Sequence, residues 1–363
     1  MFKKIAIYTG YTVLWCGIVA LLIWAESMSR KHDTSHVVCA TEISIEGGGR
    51  YPLIDDMAIS NWLKKHAMHP EGLTLSNVDI AAIESLVESH SAVADADVYV
   101  AYDGSVSIDI TQREPVARLR INGYDMYITE DGFLLPTTEG YAVRVPVVTG
   151  DYRPLFGTKF TGYAHEMACD SIAALDEHIV MLEDMKLPHY NSLIENNREL
   201  RIVKRNRVKK GIFTSKEEYE VLLKDYKERR SIAQARHNAR EKAIKSDIAA
   251  LASEQDVARH RQDDVRRQDE EFDAMIHLLK FIRDDSFWSA EVVQVEATGG
   301  GKSPLQLAIV PRSGRFVVDM GTTENLVAKL STLYRFYTNG LDNVGWDKYS
   351  SISIRYEGQV VCR

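Results

Sequence analysis

The sequence predicts an α+β protein with an N-terminal transmembrane helix, a small β-α-α-β-β domain, and a β domain that a long helical insertion interrupts. Three observations lead to this prediction. A long uncharged apolar run stands at the N-terminus, strand-like alternation with turn signals occupies two separate regions, and a charged, glycine-poor stretch lies between those regions. The 363 residues are 45% hydrophobic and 26% charged, an ordinary balance for two or three globular domains.

The predicted membrane anchor runs from Ile5 to Trp24 without a charged residue. Its length is about what a helix needs to cross the hydrocarbon core of a bilayer. Lys3 and Lys4 precede it, so the positive-inside rule predicts a cytoplasmic tail of residues 1–4 and an extracytoplasmic location for the bulk of the chain. A cleaved signal peptide is the alternative, but its apolar region would be unusually long and no good small-x-small cleavage site follows it.

The small domain is predicted over residues 37–117, after a polar tether of residues 25–36. A strand over 37–46 is followed by two amphipathic helices, over 56–66 and 78–88. The expected caps are Asp55 or Asp56 for the first helix and Ser76 or Asn77 for the second, and the expected apolar side of the first helix is Met57, Ile59, Trp62 and Leu63.

Two strands, over 92–101 and 105–111, are predicted to form a hairpin that closes this domain. Asp103-Gly104 stands between them, and an Asp-Gly pair between alternating strands is a strong hairpin signal. The β domain is then predicted over 118–363, interrupted by the insertion at 160–275. Its strands are expected at 124–129, 133–135, 144–149, 291–297, 305–310, 315–319, 351–356 and 359–362, with helices at 272–282 and 325–339.

The insertion at 160–275 is predicted to be a helical projection that the core of the β domain does not need. From Lys216 to Glu271, charges of both signs interleave beside a thin apolar stripe, a pattern typical of a helical hairpin or coiled coil. The run from Arg198 to Lys210 holds seven basic residues and one acidic residue. Such a run is most simply a solvated helix face, and the alternative is contact with anionic lipid headgroups or an acidic polymer.

The sequence contains no motif that indicates catalysis, a cofactor or a metal. Gly299-Gly300-Gly301-Lys302-Ser303 lacks the upstream glycine of a phosphate-binding loop, and His165-Glu166-Met167-Ala168-Cys169 lacks the second histidine of a zinc-protease helix. We therefore predict that the protein is not an enzyme, although spacing cannot reveal a site assembled in space. The net charge of −8 argues against a general nucleic-acid binder. The pairing of Cys39, Cys169 and Cys362 stays open.

Three strings in this order resemble the FtsQ/DivIB family of bacterial division proteins. Ile108-Asp109-Ile110 through Arg113-Glu114-Pro115-Val116-Ala117 resembles the exit of the POTRA domain of that family, and Tyr127 to Leu134 resembles the opening of its β domain. The most specific string runs from Leu307 to Gly314 and Val318 to Gly321, then through Trp346-x-Lys348-Tyr349 to Ile352 to Tyr356 and Gln359 to Cys362. Residues 160–275 lie outside the resemblance.

The resemblance implies a single-pass protein of the inner membrane at the division septum, with its bulk in the periplasm. It further implies a non-enzymatic divisome scaffold that binds small single-pass division proteins of the FtsB/FtsL type and helps to control septal peptidoglycan synthesis. Two other functions remain as alternatives. One is a membrane-anchored envelope enzyme acting on cell-wall polymer, which would need a pocket with converging carboxylates, and the other is a different POTRA-bearing assembly factor.

The predicted partner site is the C-terminal strand, because a terminal strand often leaves one edge of a sheet unpaired. Such an edge offers backbone N–H and C=O groups to an extended peptide. Gly358 is expected to allow close approach of a second backbone. The alternative is an ordinary closing strand inside the sheet. The residues expected to contact the partner are Tyr356, Gly358, Gln359, Val360 and Val361.

Overall fold

The residues that the structure describes form two β-sheets, one of three strands and one of eleven. The computed structural model describes residues 15, 17–24, 37–47, 52–137, 143–341, 345–346 and 348–363. The predicted membrane span from Ile5 to Trp24 falls mainly outside these residues, although residues 17–24 are helical. Within the described part of the chain, no helix combines the length and the apolar character that crossing a membrane requires.

The small sheet forms the first domain. Strand β1 (Thr41–Glu46) pairs in parallel with β3 (Val106–Gln112), and β3 pairs antiparallel with β2 (Val93–Val100). Two helices, α1 (Asp56–Lys65) and α2 (Ile80–Glu88), pack their buried residues with those of the strands in one core. The order β-α-α-β-β is the predicted one.

The turn and the first cap of this domain confirm the sequence signals. Gly104 has a φ of +87° between β2 and β3, where glycine adopts a left-handed conformation without steric cost. The Asp55 side chain caps α1 by accepting the Ala58 N–H at 2.7 Å. Ile59 and Leu63 are buried as predicted, whereas Met57 is 71% exposed and lies on the solvent side of α1.

The second cap was predicted wrongly. Leu75–Asn77 form a short 3₁₀ turn, so the helix that was expected to begin at Val78 starts only at Ile80. Asp79 is therefore the residue at the N-cap, and its carboxylate accepts the Ala82 N–H at 3.1 Å. The alternative caps, Ser76 and Asn77, both belong to the 3₁₀ turn.

The large sheet contains the remaining strands in the order β14-β13-β12-β11-β10-β7-β4-β5-β6-β9, with β8 paired to β10. Strand β10 therefore lies beside β7, across the whole helical insertion. The strands are β4 (Pro115–Ile121), β5 (Tyr124–Thr129), β6 (Phe133–Pro136), β7 (Val147–Thr149), β8 (Tyr152–Arg153), β9 (Gly162–Tyr163), β10 (Val292–Gly300), β11 (Ser303–Pro311), β12 (Val317–Gly321), β13 (Ser351–Ser353) and β14 (Val361–Cys362).

Among the described residues, four α-helices and a short π-helix (Tyr337–Leu341) accompany this sheet. The long pair is α3 (Ala164–Arg205) and α4 (Lys216–Asp284), followed by α5 (Ser286–Glu291) and α6 (Leu326–Phe336). The last turns of α4 enter the core of the large sheet, where Phe272, Met275 and Ile282 are buried. Phe272 and Met275 lie inside the stretch that the sequence assigned to the insertion, so the core uses the end of that stretch.

Polar contacts hold α3 and α4 together as an antiparallel hairpin. Asn196 and His237 bond to each other, and the Gln262 amide donates to the Asp176 carboxylate at 2.7 Å. The buried Lys186 ammonium donates to Gln255. In this part of α4 the buried Gln255 and Gln262 alternate with the buried apolar residues Ala258 and Val265. At 1.5 Å per residue, the 53 residues of α4 up to Gln268 extend about 80 Å.

Arg113 joins the two sheets just after β3 ends. Its guanidinium lies 3.6 Å from the centre of the Phe133 ring, and Nη1 donates to the Tyr163 hydroxyl at 3.3 Å. Tyr127 and Leu135 of the large sheet are buried in the core of the small domain. The two domains therefore share packed side chains at their boundary.

Candidate protein interface

Strand β14 forms one end of the large sheet. It pairs antiparallel with β13, with Cys362 opposite Ile352 and Val361 opposite Ser353. The Arg363 N–H donates to the Ser351 carbonyl at 2.9 Å, and the Ser351 N–H donates back to Arg363 at 3.2 Å. Arg363 and Ser351 are therefore a hydrogen-bonded pair of the antiparallel ladder.

The alternation of that ladder decides which backbone groups point outward. Successive residues of an antiparallel strand direct their N–H and C=O groups to opposite sides. Since Arg363 and Val361 face β13, the N–H and C=O of Cys362 face away from it. In the part of the chain that the structure describes, no strand lies beyond β14 in the sheet order. The outward groups of Cys362 are thus available to a further strand.

The side chains of the terminal segment alternate between core and solvent. Val360 and Cys362 are partly buried against the core of the large sheet, whereas Val361 is 44% exposed. Burial also raises the pKa of the Cys362 thiol. The segment is therefore anchored through one face, and the Val361 side chain stays free for contact on the other.

The predicted strand at the C-terminus is shorter than the sequence indicated. The Gln359 N–H donates to the Tyr356 carbonyl at 3.2 Å, and Gly358 has a φ of +70°. Tyr356 to Gln359 therefore form a turn in which glycine supplies the positive φ. A Cβ at Gly358 would meet nothing within 4 Å, so within the chain the positive φ of the turn, and not crowding, favours glycine here.

The structure places the five predicted contact residues on this turn and the strand after it. Val361 is the member that lies within β14, and Tyr356 is 69% exposed on the turn. The sequence did not single out Cys362 as a backbone donor, because the direction of an N–H depends on the register with β13. No signal in the chain alone could have supplied that register.

An ion pair fixes the position of the turn. Arg355 Nε lies 2.6 Å from the Asp319 carboxylate, and the other oxygen of Asp319 accepts the Gly321 N–H at 3.1 Å. The Ile354 N–H also donates to the Asp319 carbonyl at 2.9 Å. Asp319 therefore ties β12 to the segment that leads into the turn. These partners are separated by 36 residues, a distance at which spacing predicts nothing.

A cavity of about 490 Å³ opens at another place, near the starts of β7 and β10. Three arginines, Arg144, Arg283 and Arg312, line it together with apolar residues. Arg283 also pairs with Glu130 and Asp284. Among the described residues that line the cavity there is no carboxylate, so the converging carboxylates expected of the enzyme alternative do not occur there.

The string that resembles a zinc-protease helix makes a side-chain contact with α4. His165 Nδ1 lies 2.7 Å from the Asp269 carboxylate, and its Nε2 lies 3.5 Å from the Cys169 sulfur. Cys169, His165 and Asp269 stand in the order of a nucleophile, a base and an orienting acid. However, the His165 side chain is 75% exposed, so solvent is not excluded from it. The Cys169 N–H lies within α3, where it is not free to stabilise an oxyanion. Across the described ranges, no group of three or more His, Cys, Asp or Glu side chains is arranged to hold a metal ion.

The fold and its free edge define a class of protein: a small β-α-α-β-β domain followed by a β domain that ends in an edge strand. Residues 37–111 match the family model for the POTRA-like domain. Residues 259–363 match the family model described as FtsQ/DivIB, C-terminal related. No curated protein matches the chain. The two family matches support the FtsQ/DivIB family of division proteins and so confirm the resemblance in the sequence.

Proposed function

We propose that this protein is a non-enzymatic divisome scaffold that captures small single-pass division proteins of the FtsB/FtsL type at the edge of β14. In this proposal, residues 5–24 anchor the chain in the inner membrane at the septum, with its bulk in the periplasm. Capture of these partners helps to control septal peptidoglycan synthesis by a separate synthase. The observation that carries the proposal is the outward N–H and C=O of Cys362 on the end strand of the large sheet.

Backbone bonds alone would hold such a partner weakly. Each net hydrogen bond contributes about 0.5–1.5 kcal/mol, whereas a micromolar complex corresponds to about 8 kcal/mol. The two outward groups of Cys362 therefore need support from side chains. Tyr356 and Val361 are exposed beside them, and large side chains of this kind carry most of the energy in many interfaces. We expect Cys362 to set the register and Tyr356 and Val361 to supply most of the affinity.

Photocrosslinking in cells tests this proposal. A photoreactive residue at Val361 of the full chain should capture a small single-pass division protein, which mass spectrometry would identify. The matched control is Val293, which is 43% exposed on β10 of the same sheet but is not at its edge. Capture of that partner from Val361 and not from Val293 is the expected result. Equal capture from both positions, or none from Val361, would contradict the proposed site.

A further inference from the structure

The tip of the α3–α4 hairpin presents two large apolar side chains to solvent. α3 ends at Arg205 and α4 begins at Lys216. Between them, the Thr214 N–H donates to the Gly211 carbonyl at 3.3 Å, which makes Ile212 and Phe213 the corner residues of a turn. Ile212 is 96% exposed and Phe213 is 99% exposed. Turn corners usually carry Gly, Pro, Asn, Asp or Ser, so this choice of residues needs a reason.

The turn is held by defined contacts on both sides. The Tyr226 hydroxyl donates to the Asn206 carbonyl, and Arg230 donates to the Lys204 carbonyl at 2.9 Å. On the other side, Ser215 and Glu218 form a capping box at the start of α4. These contacts fix the two helix ends between which Ile212 and Phe213 are exposed.

Five cations stand immediately behind the apolar pair. They are Lys204, Arg205, Arg207, Lys209 and Lys210, all exposed. From residue 200 to residue 215 there is no Asp or Glu, although the whole chain has a net charge of −8. Within the described residues, none of the five side chains makes an ion pair. From residue 204 to residue 220 six cations outnumber three carboxylates, Glu217, Glu218 and Glu220, so the tip keeps a net positive charge.

The order of these groups along the hairpin matches the order of layers at a bilayer surface. The apolar pair is outermost, and the cations follow on the side toward the protein. An anionic bilayer presents acyl chains inside and phosphates outside, so an inserted tip would place both kinds of side chain in their favourable layer. A two-residue turn also presents little surface area to a protein partner.

The tip is remote from the folded core. Gln268, near the base of α4, accepts the Gly301 N–H at 2.9 Å, whereas the tip lies about 80 Å away along the helix. Neither sheet can bury Ile212 and Phe213 at that distance. We propose that the tip of the hairpin docks on an anionic lipid bilayer, with Ile212 and Phe213 inserted and the five cations on the headgroups. This inference does not depend on capture at β14.

Flotation of the full chain with vesicles tests this inference. The protein, held in nanodiscs of phosphatidylcholine, is mixed with separate vesicles of phosphatidylcholine with or without phosphatidylglycerol. We expect the wild type to float with the phosphatidylglycerol vesicles only. Changing Ile212→Ser and Phe213→Ser together should reduce the floated fraction by about tenfold or more, because the apolar anchor is lost. Changing Arg207, Lys209 and Lys210 to Gln should also reduce it and should weaken its dependence on salt, because only two of the five cations, Lys204 and Arg205, remain.

Tyr102→Ser is the matched control, since Tyr102 is fully exposed beside the β2–β3 turn and should not affect flotation. Circular dichroism of each variant should show unchanged helix content. Two outcomes would overturn the inference. One is a wild type that does not float with anionic vesicles, which would be the result if the tip bound an acidic protein and not a bilayer. The other is a double serine variant that floats as well as the wild type.

Discussion

The guanidinium of Arg113, which directly follows the last strand of the small domain, contacts three residues of the large domain. Its guanidinium packs on the Phe133 ring, donates to the Tyr163 hydroxyl and lies 3.5 Å from the Asp131 carboxylate. Lysine carries the same charge, but it lacks the planar group that stacks on a ring while donating to its neighbours. The residue type therefore matters here more than the charge.

We predict that Arg113→Lys lowers the free energy of unfolding by about 1–2 kcal/mol, because lysine keeps the charge but loses the planar packing on Phe133 and the hydrogen bond to Tyr163. Denaturant titration of the full chain would measure this. Arg120→Lys is the control, since Arg120 is exposed on β4 and should change stability by less than about 0.5 kcal/mol. Equal stability of the two variants would mean that Arg113 does not fasten the domains.

His90 gives the small domain a dependence on pH. Burial lowers the pKa of His90, and its Nδ1 accepts the Ala92 N–H at 3.3 Å, which requires an unprotonated nitrogen. In the window below about 6.5, the unfolded chain therefore binds more protons than the folded chain. This contribution to stability is present above pH 6.5 and is lost as the pH falls through that window.

Between neutral pH and the folded-state pKa of His90, the free energy of unfolding should decrease as the pH falls. We predict that this decrease is smaller in His90→Asn, because asparagine accepts a hydrogen bond without titrating. Thermal unfolding measured at a series of pH values would show it. His277→Asn serves as the control, as His277 lies exposed on α4. If the slope with pH were the same in the wild type and His90→Asn, the small domain would not depend on this histidine.

At the scale of elements, the α3–α4 hairpin divides into a projecting part and a base. The Gln255 amide donates to the Ile179 carbonyl at 3.3 Å, so these two positions are neighbours across the hairpin. Below them, α4 continues to Phe272 and the core of the large sheet. A cut at this level should remove the projection and leave the base in place.

We predict that deleting residues 180–254, with a short flexible linker, leaves cooperative unfolding of the large domain and changes its stability little. Phe272→Ala in the full-length chain should cost about 3–5 kcal/mol, because it opens a cavity in the core. Denaturant unfolding of both variants makes the comparison. A deletion variant that no longer unfolds cooperatively would show that the projecting part belongs to the core.

The sequence predicted elements whose signals are local. The cap at Asp55, the hairpin turn at Gly104 and the helical character of the insertion all follow from residues close in the chain. The predictions were wrong where the environment of a residue depends on a contact with a residue far along the chain. A sequence pattern predicts that polar residues such as Gln255 and Gln262 are exposed to solvent. They are buried in the hairpin because α3 supplies hydrogen-bond acceptors for their side-chain amides.

At the scale of the whole molecule, the same limit applies to the sheet order and the candidate interface. Val147 pairs with Gln294 across the whole insertion, and no local pattern encodes that register. Strands were predicted at 351–356 and 359–362 with only residues 357–358 between them, whereas the strands cover Ser351–Ser353 and Val361–Cys362 and a turn spans Tyr356 to Gln359. The position of β14 at the sheet end was expected, but the outward direction of the Cys362 backbone emerged only from its pairing with β13.

The whole arrangement serves the proposed scaffold through this one edge. The ion pair of Asp319 and Arg355 holds the turn, and partial burial of Val360 and Cys362 holds the last strand on the core. A partner strand added there would extend the eleven-stranded sheet without disturbing the small domain or the hairpin. In the proposed function, the outward groups of Cys362 set the register of the partner strand, and the exposed side chains of Tyr356 and Val361 supply most of its affinity.

The most direct test is the affinity of the full chain for the small membrane partner captured at Val361, compared between two proline variants. Cys362→Pro removes the outward N–H, and Val361→Pro removes an N–H that faces β13. Cys362→Ala keeps the backbone and controls for the thiol. We predict that Cys362→Pro weakens binding by about tenfold, equivalent to one net hydrogen bond, with the fold intact. Cys362→Ala should bind as the wild type does, and Val361→Pro should first loosen β14 from β13. Wild-type affinity in a folded Cys362→Pro variant would contradict strand addition at this edge.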